Sequence, residues 1–178
     1  KQDNIDMYYN LGWDGMRAER IGKMKDLGLL PESLAVPARL KSMPDWNDVD
    51  DTKWQPLMAQ VTTAPYDVIW GISTVDDLKR TLAKKMAAYT GMIEYFDSQV
   101  ERLVTHLKST GEYDNTVFIY FSDNGGDARP WDWIDRDYML RRGVNNRYDN
   151  IGLRDSFVSN GPGWAQVANA PLYGSKIT

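Results

Sequence analysis

A chain of 178 residues with 42 % hydrophobic and 26 % charged residues has the composition of a globular protein, long enough to bury a core without covalent staples. Its formal net charge of −4, from 21 basic and 25 acidic residues, excludes a broad nucleic-acid footprint, which needs a basic excess or stripe. Having no cysteine and one histidine excludes disulfides, thiolate metal sites, a cysteine nucleophile and multi-histidine cages, so any chemistry here rests on carboxylates, amides, lysine or arginine.

In chain order, Lys1 to Asp6 lacks the succession of a signal peptide, and no stretch reaches the ~18 apolar residues of a membrane span. The first methionine is Met7, and Tyr173 to Thr178 stops without a cap or charged tail; both ends read as cuts within a longer chain. Asp14 to Leu27 reads as a helix, with Met16, Arg20, Met24 and Leu27 on one face, Ile21 beside them, Asp14 near its start and Gly28 and Pro31 as stops. Pro31 to Trp54 reads as an ordered connector. Gln55 to Ser73 is ambiguous, and Val61 to Val75 carries β-branched and aromatic residues that suit a short edge element or a loop.

The plainest helix follows. Leu78, Leu82, Met86, Tyr89, Ile93, Phe96, Val100, Leu103 and Leu107 recur at intervals of three and four, an apolar seam over about 50 Å at ~1.5 Å per residue. Asp76 is the expected N-cap and Gly111 the expected stop. After the turn at Asp114-Asn115, Thr116 to Phe121 is a continuous β-rich apolar run, which predicts a strand covered on both faces. Helix, turn and buried strand together predict an α/β fold with a parallel-type central sheet flanked by helices. Asp127 to Asn150 reads as a long irregular loop of functional type, and Ser156 to Val158 as a short strand.

Ser122-Asp-Asn-Gly-Gly126 falls at the carboxyl end of the predicted strand, where α/β folds place their sites. Asp123 and Asn124 offer a carboxylate and an amide oxygen of the kind hard cations take, and Gly125-Gly126 allows close approach. The same string is ordinary turn chemistry, and two donors fall short of the ~6–8 oxygens of a calcium site. Lys176 is either a solvated lysine near a chain end or a point charge for a sulfate, phosphate or carboxylate. His106 sits near the end of the long helix, where the helix dipole favours it without catalysis. Trp131, Trp133 and Tyr138 suit stacking on a sugar or aryl ring and equally suit pinning the loop to the domain. Ala35-Val-Pro-Ala-Arg39 has the tail of a sulfatase signature with alanine at the nucleophile position, and its place in a proline-rich connector makes it coincidental.

Six segments in order carry a resemblance: Gly12-Trp-Asp-Gly-Met-Arg-Ala-Glu-Arg20, Lys23 to Pro31, Met86 to Asp97, Gly111 to Thr116, Ser122 to Gly125, and Ser156-Phe-Val158 through Gly161-Pro-Gly-Trp-Ala165. From about Tyr8 to Lys176 the chain resembles the middle-to-late part of a type I sulfatase of the arylsulfatase branch, in the alkaline-phosphatase-like superfamily. The resemblance implies a partial catalytic domain over residues 1–178, within an alkaline-phosphatase-like α/β sandwich. It implies that Asp123 and Asn124 are two calcium ligands (magnesium being the lesser choice) and that Lys176 contacts the sulfate group of the substrate. It also implies a formylglycine nucleophile, two earlier aspartate ligands and further catalytic residues upstream, and a C-terminal part beyond. The substrate class is then a sulfate ester, aryl or carbohydrate, and the partner is the remainder of the sulfatase chain; a periplasmic or secreted location follows by family analogy. Another metal-dependent hydrolase of the superfamily, or a decayed carbohydrate-binding relative, are the alternative readings.

Overall fold

The first helix is broken by a glycine that makes room for a tryptophan. In the computed structural model, which describes residues 1–39, 43–130, 132 and 135–176, α1 spans Gln2–Asp26 and is interrupted at Gly12 (φ 59, ψ −173). A Cβ there would lie 1.9 Å from the Trp46 ring, so only glycine satisfies both the backbone and the packing. Helix therefore begins well before Asp14. That carboxylate is no cap: it accepts from the Trp46 amide at 2.9 Å and pairs with Arg39 at 2.7 Å. Arg39 also pairs with Asp45, so the Ala35–Arg39 string serves to tie the connector to α1. Of the predicted apolar face, Ile21 is buried, whereas Arg20 and Leu27 are exposed.

The ambiguous stretch is helical. Two short helices, α2 (Gln55–Thr62) and α3 (Asp67–Trp70), bury Leu57, Met58, Val61, Ile69 and Trp70, and Gly71 closes α3 in the left-handed region at φ 62. The β-branched content of Val61 to Val75 thus reflects core packing, and no edge element forms there.

The long helix, α4 (Val75–Thr110), ends at Gly111 as expected, with φ 75 and a cap N–H bonded to the carbonyls of Leu107 and Lys108. Its N-cap is Thr74 rather than Asp76. Thr74 Oγ1 accepts from the Asp77 amide at 3.0 Å and Asp77 Oδ2 accepts from the Thr74 amide at 2.9 Å, a reciprocal capping box. Asp76 instead accepts from the Tyr9 hydroxyl and from Arg80 Nε at 2.7 Å, joining α1 to α4. The apolar seam is covered over its first half only: Leu78, Leu82 and Met86 are buried, while Ile93, Phe96 and Leu103 are exposed.

The predicted fold class needs correction. Among the described residues there is no strand and no sheet, so the α/β sandwich with a parallel-type central sheet is not what this chain forms. Thr116 enters the β-rich run in extended geometry (φ −115, ψ 129), but Val117, Ile119, Tyr120 and Phe121 are 75–84 % exposed. Local β propensity favours extended backbone, yet a ladder requires a second strand, and no described segment pairs with this one. Ser156 to Val158 is not a strand either. The Phe157 amide and carbonyl are bonded by the Asn146 side chain, at 2.9 and 2.8 Å, so a buried amide satisfies what a ladder would have satisfied. The Asp127 to Asn150 loop contains a helix, α5 (Arg136–Arg141), and a short turn of 3-10 helix at Tyr148–Asn150.

The last helix, α6 (Gly161–Ala168), was not foreseen. It carries the centre of the core. Trp164 is fully buried, donates from Nε1 to the Leu82 carbonyl at 2.9 Å, and makes edge contacts with Tyr8 and Trp13 at 5.5 and 5.9 Å. Trp46 and Trp54 complete the cluster, with Trp13 stacked on Trp54 at 5.6 Å. A Cβ on Gly163 would stand 2.4 Å from the Trp13 ring, so the close approach of α6 to α1 depends on that glycine. No helix among the described residues is long and apolar enough to cross a membrane.

Candidate functional site

The loop after the exposed run is held from beneath by the end of α6. Within the loop, Ser122 Oγ donates to the Asn124 carbonyl at 2.7 Å, and Asn124 Nδ2 donates to the Gly125 carbonyl at 2.9 Å. With its nitrogen so engaged, the amide of Asn124 has its oxygen left for a cation. Asp123 is exposed and has no ion-pair or hydrogen-bond partner among the described residues. Gly125 and Gly126 then pass directly over Asn169: a Cβ on Gly125 would lie 2.8 Å from Asn169 Oδ1, and one on Gly126 would lie 3.2 Å from the Ala168 Cβ. The expectation that the glycine pair permits close approach is met, and what approaches is the protein's own α6.

Asn169 is the common partner of two loops. Its Oδ1 accepts from the Gly126 amide at 2.6 Å, while Nδ2 donates to the Gly126 carbonyl at 3.2 Å and to the Gly174 carbonyl at 3.1 Å. The Lys176 amide donates to the same Gly126 carbonyl at 3.1 Å. A small cleft of about 130 Å³ lies between the loops, lined by Gly125, Asn169, Leu172, Tyr173, Gly174, Ser175 and Lys176. The backbone of the sulfate-contact candidate is therefore hydrogen-bonded to the loop that carries the two cation-ligand candidates. Both Asp123 and Lys176 are exposed, and no side-chain contact joins Asp123 or Asn124 to Lys176 among the described residues.

On the far side, the loop is anchored to α4. Asp132, fully buried, lies 2.8 Å from Lys85 Nζ and accepts from Ser159 Oγ at 2.6 Å. Lys85 Nζ also sits 5.6 Å from the centre of the Trp70 ring.

As a cation site the arrangement is partial. A carboxylate and an amide oxygen suit a hard cation, but among the described residues no group of three or more acidic, histidine or cysteine side chains gathers anywhere. The stacking residues are divided: Trp131 and Trp133 lie outside the described residues, and Tyr138 is 41 % exposed with Arg142 against it, Nε to hydroxyl at 3.3 Å. His106 is exposed near the end of α4, its carbonyl accepting from Ser109 Oγ at 2.7 Å. Sequence reasoning missed Asn169, Asp132 and Lys85. For Asn169 a partial signal existed: Gly161-Pro162 opens, and Asn169-Ala-Pro171 closes, an eight-residue apolar helix. Asn169 stands seven positions before Lys176, whereas its nearness to the glycine pair is visible only in the structure.

The family model described as Sulfatase matches residues 34–175. The chain belongs to the sulfatase family. Over 163 residues, 92 % of the chain, it is 31 % identical to an arylsulfatase of Klebsiella aerogenes, and over 173 residues, 94 % of the chain, 32 % identical to an uncharacterised sulfatase of Schizosaccharomyces pombe. A shorter match, 34 % over 56 residues or 32 % of the chain, is to an arylsulfatase of Clostridium perfringens. The chain spans 30 %, 26 % and 12 % of the length of these three relatives in the matched regions. The resemblance read from the six segments is thus borne out at the level of the family, and the matched region of the sulfatase model contains Asp123, Asn124 and Asn169 and ends at the residue before Lys176.

Proposed function

We propose that this chain is a segment of a sulfate-ester hydrolase, acting on an aryl sulfate or a sulfated carbohydrate, in which Asp123 and Asn124 hold a calcium ion and Lys176 contacts the sulfate. The observation that carries the reading is the hydrogen bond from the Lys176 amide to the Gly126 carbonyl, which binds a cation-type loop and a sulfate-type lysine into one surface. Bound there, a divalent cation supplies positive charge to the sulfate oxygens as the ester is split. Asp123 contributes a carboxylate with no competing partner among the described residues, and Asn124 contributes an amide oxygen whose nitrogen is already tied to Gly125. Lys176 adds a compact positive charge on a flexible stem, suited to a tetrahedral anion approaching from solvent.

The nucleophile, a formylglycine, and the remaining cation ligands belong to parts of the enzyme outside these residues. No cysteine is present among the 178 residues. The 178 residues alone are therefore inactive, and the complete protein turns over a sulfate ester in the presence of calcium. The test compares the two on an aryl sulfate, with Asp123→Ala and Lys176→Ala introduced into the complete protein. Asp123→Ala is expected to weaken calcium uptake and Lys176→Ala to raise KM. Turnover by the 178 residues alone, or unchanged calcium uptake in Asp123→Ala, sinks the reading.

A further inference from the structure

We propose that Asn169 is a positioning residue that fixes the calcium-binding loop and the sulfate-binding lysine relative to one another, so that calcium and sulfate ester bind as a linked pair. The inference rests on the roles proposed for Asp123, Asn124 and Lys176. Its own basis is the geometry around one side-chain amide.

The amide of Asn169 uses both of its donors and accepts one hydrogen bond, and does so in one orientation only. The Gly126 N–H needs an acceptor and lies 2.6 Å from Oδ1; the carbonyls of Gly126 and Gly174 need donors and lie 3.2 and 3.1 Å from Nδ2. Turning the amide over would set nitrogen against an N–H and oxygen against two carbonyls. Gly126 lies three positions after Asp123, and Gly174 two positions before Lys176. The Gly126 carbonyl accepts from both Asn169 Nδ2 and the Lys176 amide, so displacing the first partner disturbs the second. The mount itself is firm. Asn169 ends α6, its amide bonded to the Ala165 carbonyl at 2.9 Å and its own carbonyl accepting from the Leu172 amide at 2.9 Å. Ala165 and Trp164 ahead of it are fully buried. A side chain so placed transmits the rigidity of the tryptophan core to two otherwise exposed loops, as outer-shell partners do for ligands elsewhere.

The substitutions separate positioning from mere structure. Asn169→Ala removes all three bonds. Asn169→Asp keeps the acceptor for Gly126 N–H but faces two carbonyls with a carboxylate. Both are expected to weaken calcium binding and raise KM for an aryl sulfate about ten-fold in the complete enzyme, the lower end of the range for outer-shell partners. A residue that only supports the fold would lower Tm and the active fraction, hence kcat, and leave KM and the calcium Kd of the folded molecules unchanged. In a double-mutant cycle, Lys176→Ala is expected to raise KM less in the Asn169→Ala background than in the parent, because the lysine there is already misplaced.

A second readout needs no activity. Amide exchange of Gly126 and Lys176, measured on the complete protein, is expected to accelerate together in either variant. Should Asn169→Ala fail to fold, Asn169→Asp carries the same comparisons. Calcium Kd and KM within two-fold of the parent, or amide protection retained at both positions, overturns the proposal. The two readings fail separately. If Asp123→Ala leaves calcium uptake intact, the site assignment falls and with it the calcium linkage. If Asp123→Ala abolishes uptake while Asn169→Ala and Asn169→Asp change neither binding nor exchange, only the role of Asn169 falls.

Discussion

Removing one partner of the Lys85–Asp132 pair is expected to cost far more than removing both. The two charges meet at 2.8 Å with side chains 1 % and 0 % exposed, as a charge contact rather than a well-directed hydrogen bond. At an effective dielectric of about 20, unit charges at this separation attract by about 6 kcal/mol, most of which offsets their desolvation. Asp132→Asn keeps an oxygen for Ser159 but removes the carboxylate charge 2.8 Å from the buried Lys85 ammonium, a change of about 3–5 kcal/mol. With a urea slope of about 2 kcal/mol per molar, the midpoint should fall by about 1.5–2.5 M. Lys85→Met combined with Asp132→Leu removes both charges and fills similar volume. It should recover most of that loss, less about 1 kcal/mol for the Ser159 hydroxyl, whose 2.6 Å acceptor is gone. Urea unfolding followed by tryptophan fluorescence measures all three chains, since Trp70 lies beside Lys85. A loss below 1 kcal/mol in Asp132→Asn, or a double variant no better than the single one, would refute the account of this anchor.

Other outcomes follow from the same geometry. Gly163→Ala drives a methyl to 2.4 Å from the Trp13 ring and should destabilise by about 1–3 kcal/mol in a urea titration, whereas Gly22→Ala, with nothing within 4 Å, should stabilise slightly. Thr74→Ala removes the hydroxyl of the capping box and should cost about 1 kcal/mol in the same assay. The Asp77 carboxyl is held below the ordinary carboxylate range, first by the Thr74 hydroxyl and then by the Thr74 and Ser73 amides. Its contribution is complete above the unfolded-state value and is lost as pH falls through the lower folded one, so acid should destabilise the parent more than Asp77→Asn below about pH 4.

Periodicity in the sequence located α4 because the three-and-four spacing ran over many turns and Gly111 offered a left-handed stop. The cap was misplaced by two residues for a specific reason. Asp76 and Asp77 are both acidic near the start, and only tertiary structure diverts Asp76 to Tyr9 and Arg80 while Asp77 folds back on Thr74. The same seam could not reveal that its second half lies open, because spacing defines an apolar face without naming what covers it. Thr116 to Phe121 misled for a related reason: propensity is local, whereas a sheet is a property of at least two segments. For the proposed site, Asp123, Asn124 and Lys176 were singled out through the order of six short segments. The side chains that hold their loops were not. Asn169 reads locally as a turn residue, and nothing in the sequence around Lys85 announces a fully buried lysine, since its carboxylate comes from a distant loop.

The two anchors also determine how the molecule should respond to a cut. Val117 to Phe121 has no backbone hydrogen bond to any other described element and exposes three aromatic residues, Phe118 at 45 % and Tyr120 and Phe121 at 75–78 %. Tyr95 is also exposed but lies inside α4, where every peptide group is held by the helix. A protease that cuts after aromatics should therefore act first between 118 and 121, where the backbone reaches its active site without local unfolding. Cleavage there separates α1 to α4 from α5, α6 and the site loops. The two pieces should nevertheless stay together, because Trp164 is seated among Tyr8, Trp13 and Trp46, donates to Leu82, and is reinforced by the Lys85–Asp132 pair. Brief chymotrypsin digestion followed by size exclusion is expected to give two fragments that co-elute, with Gly126 and Lys176 still protected from exchange. Separation of the fragments on the column, or a first cut within Gly125 to Lys176, would mean that the site loops depend on the exposed run and not on α6 and α4.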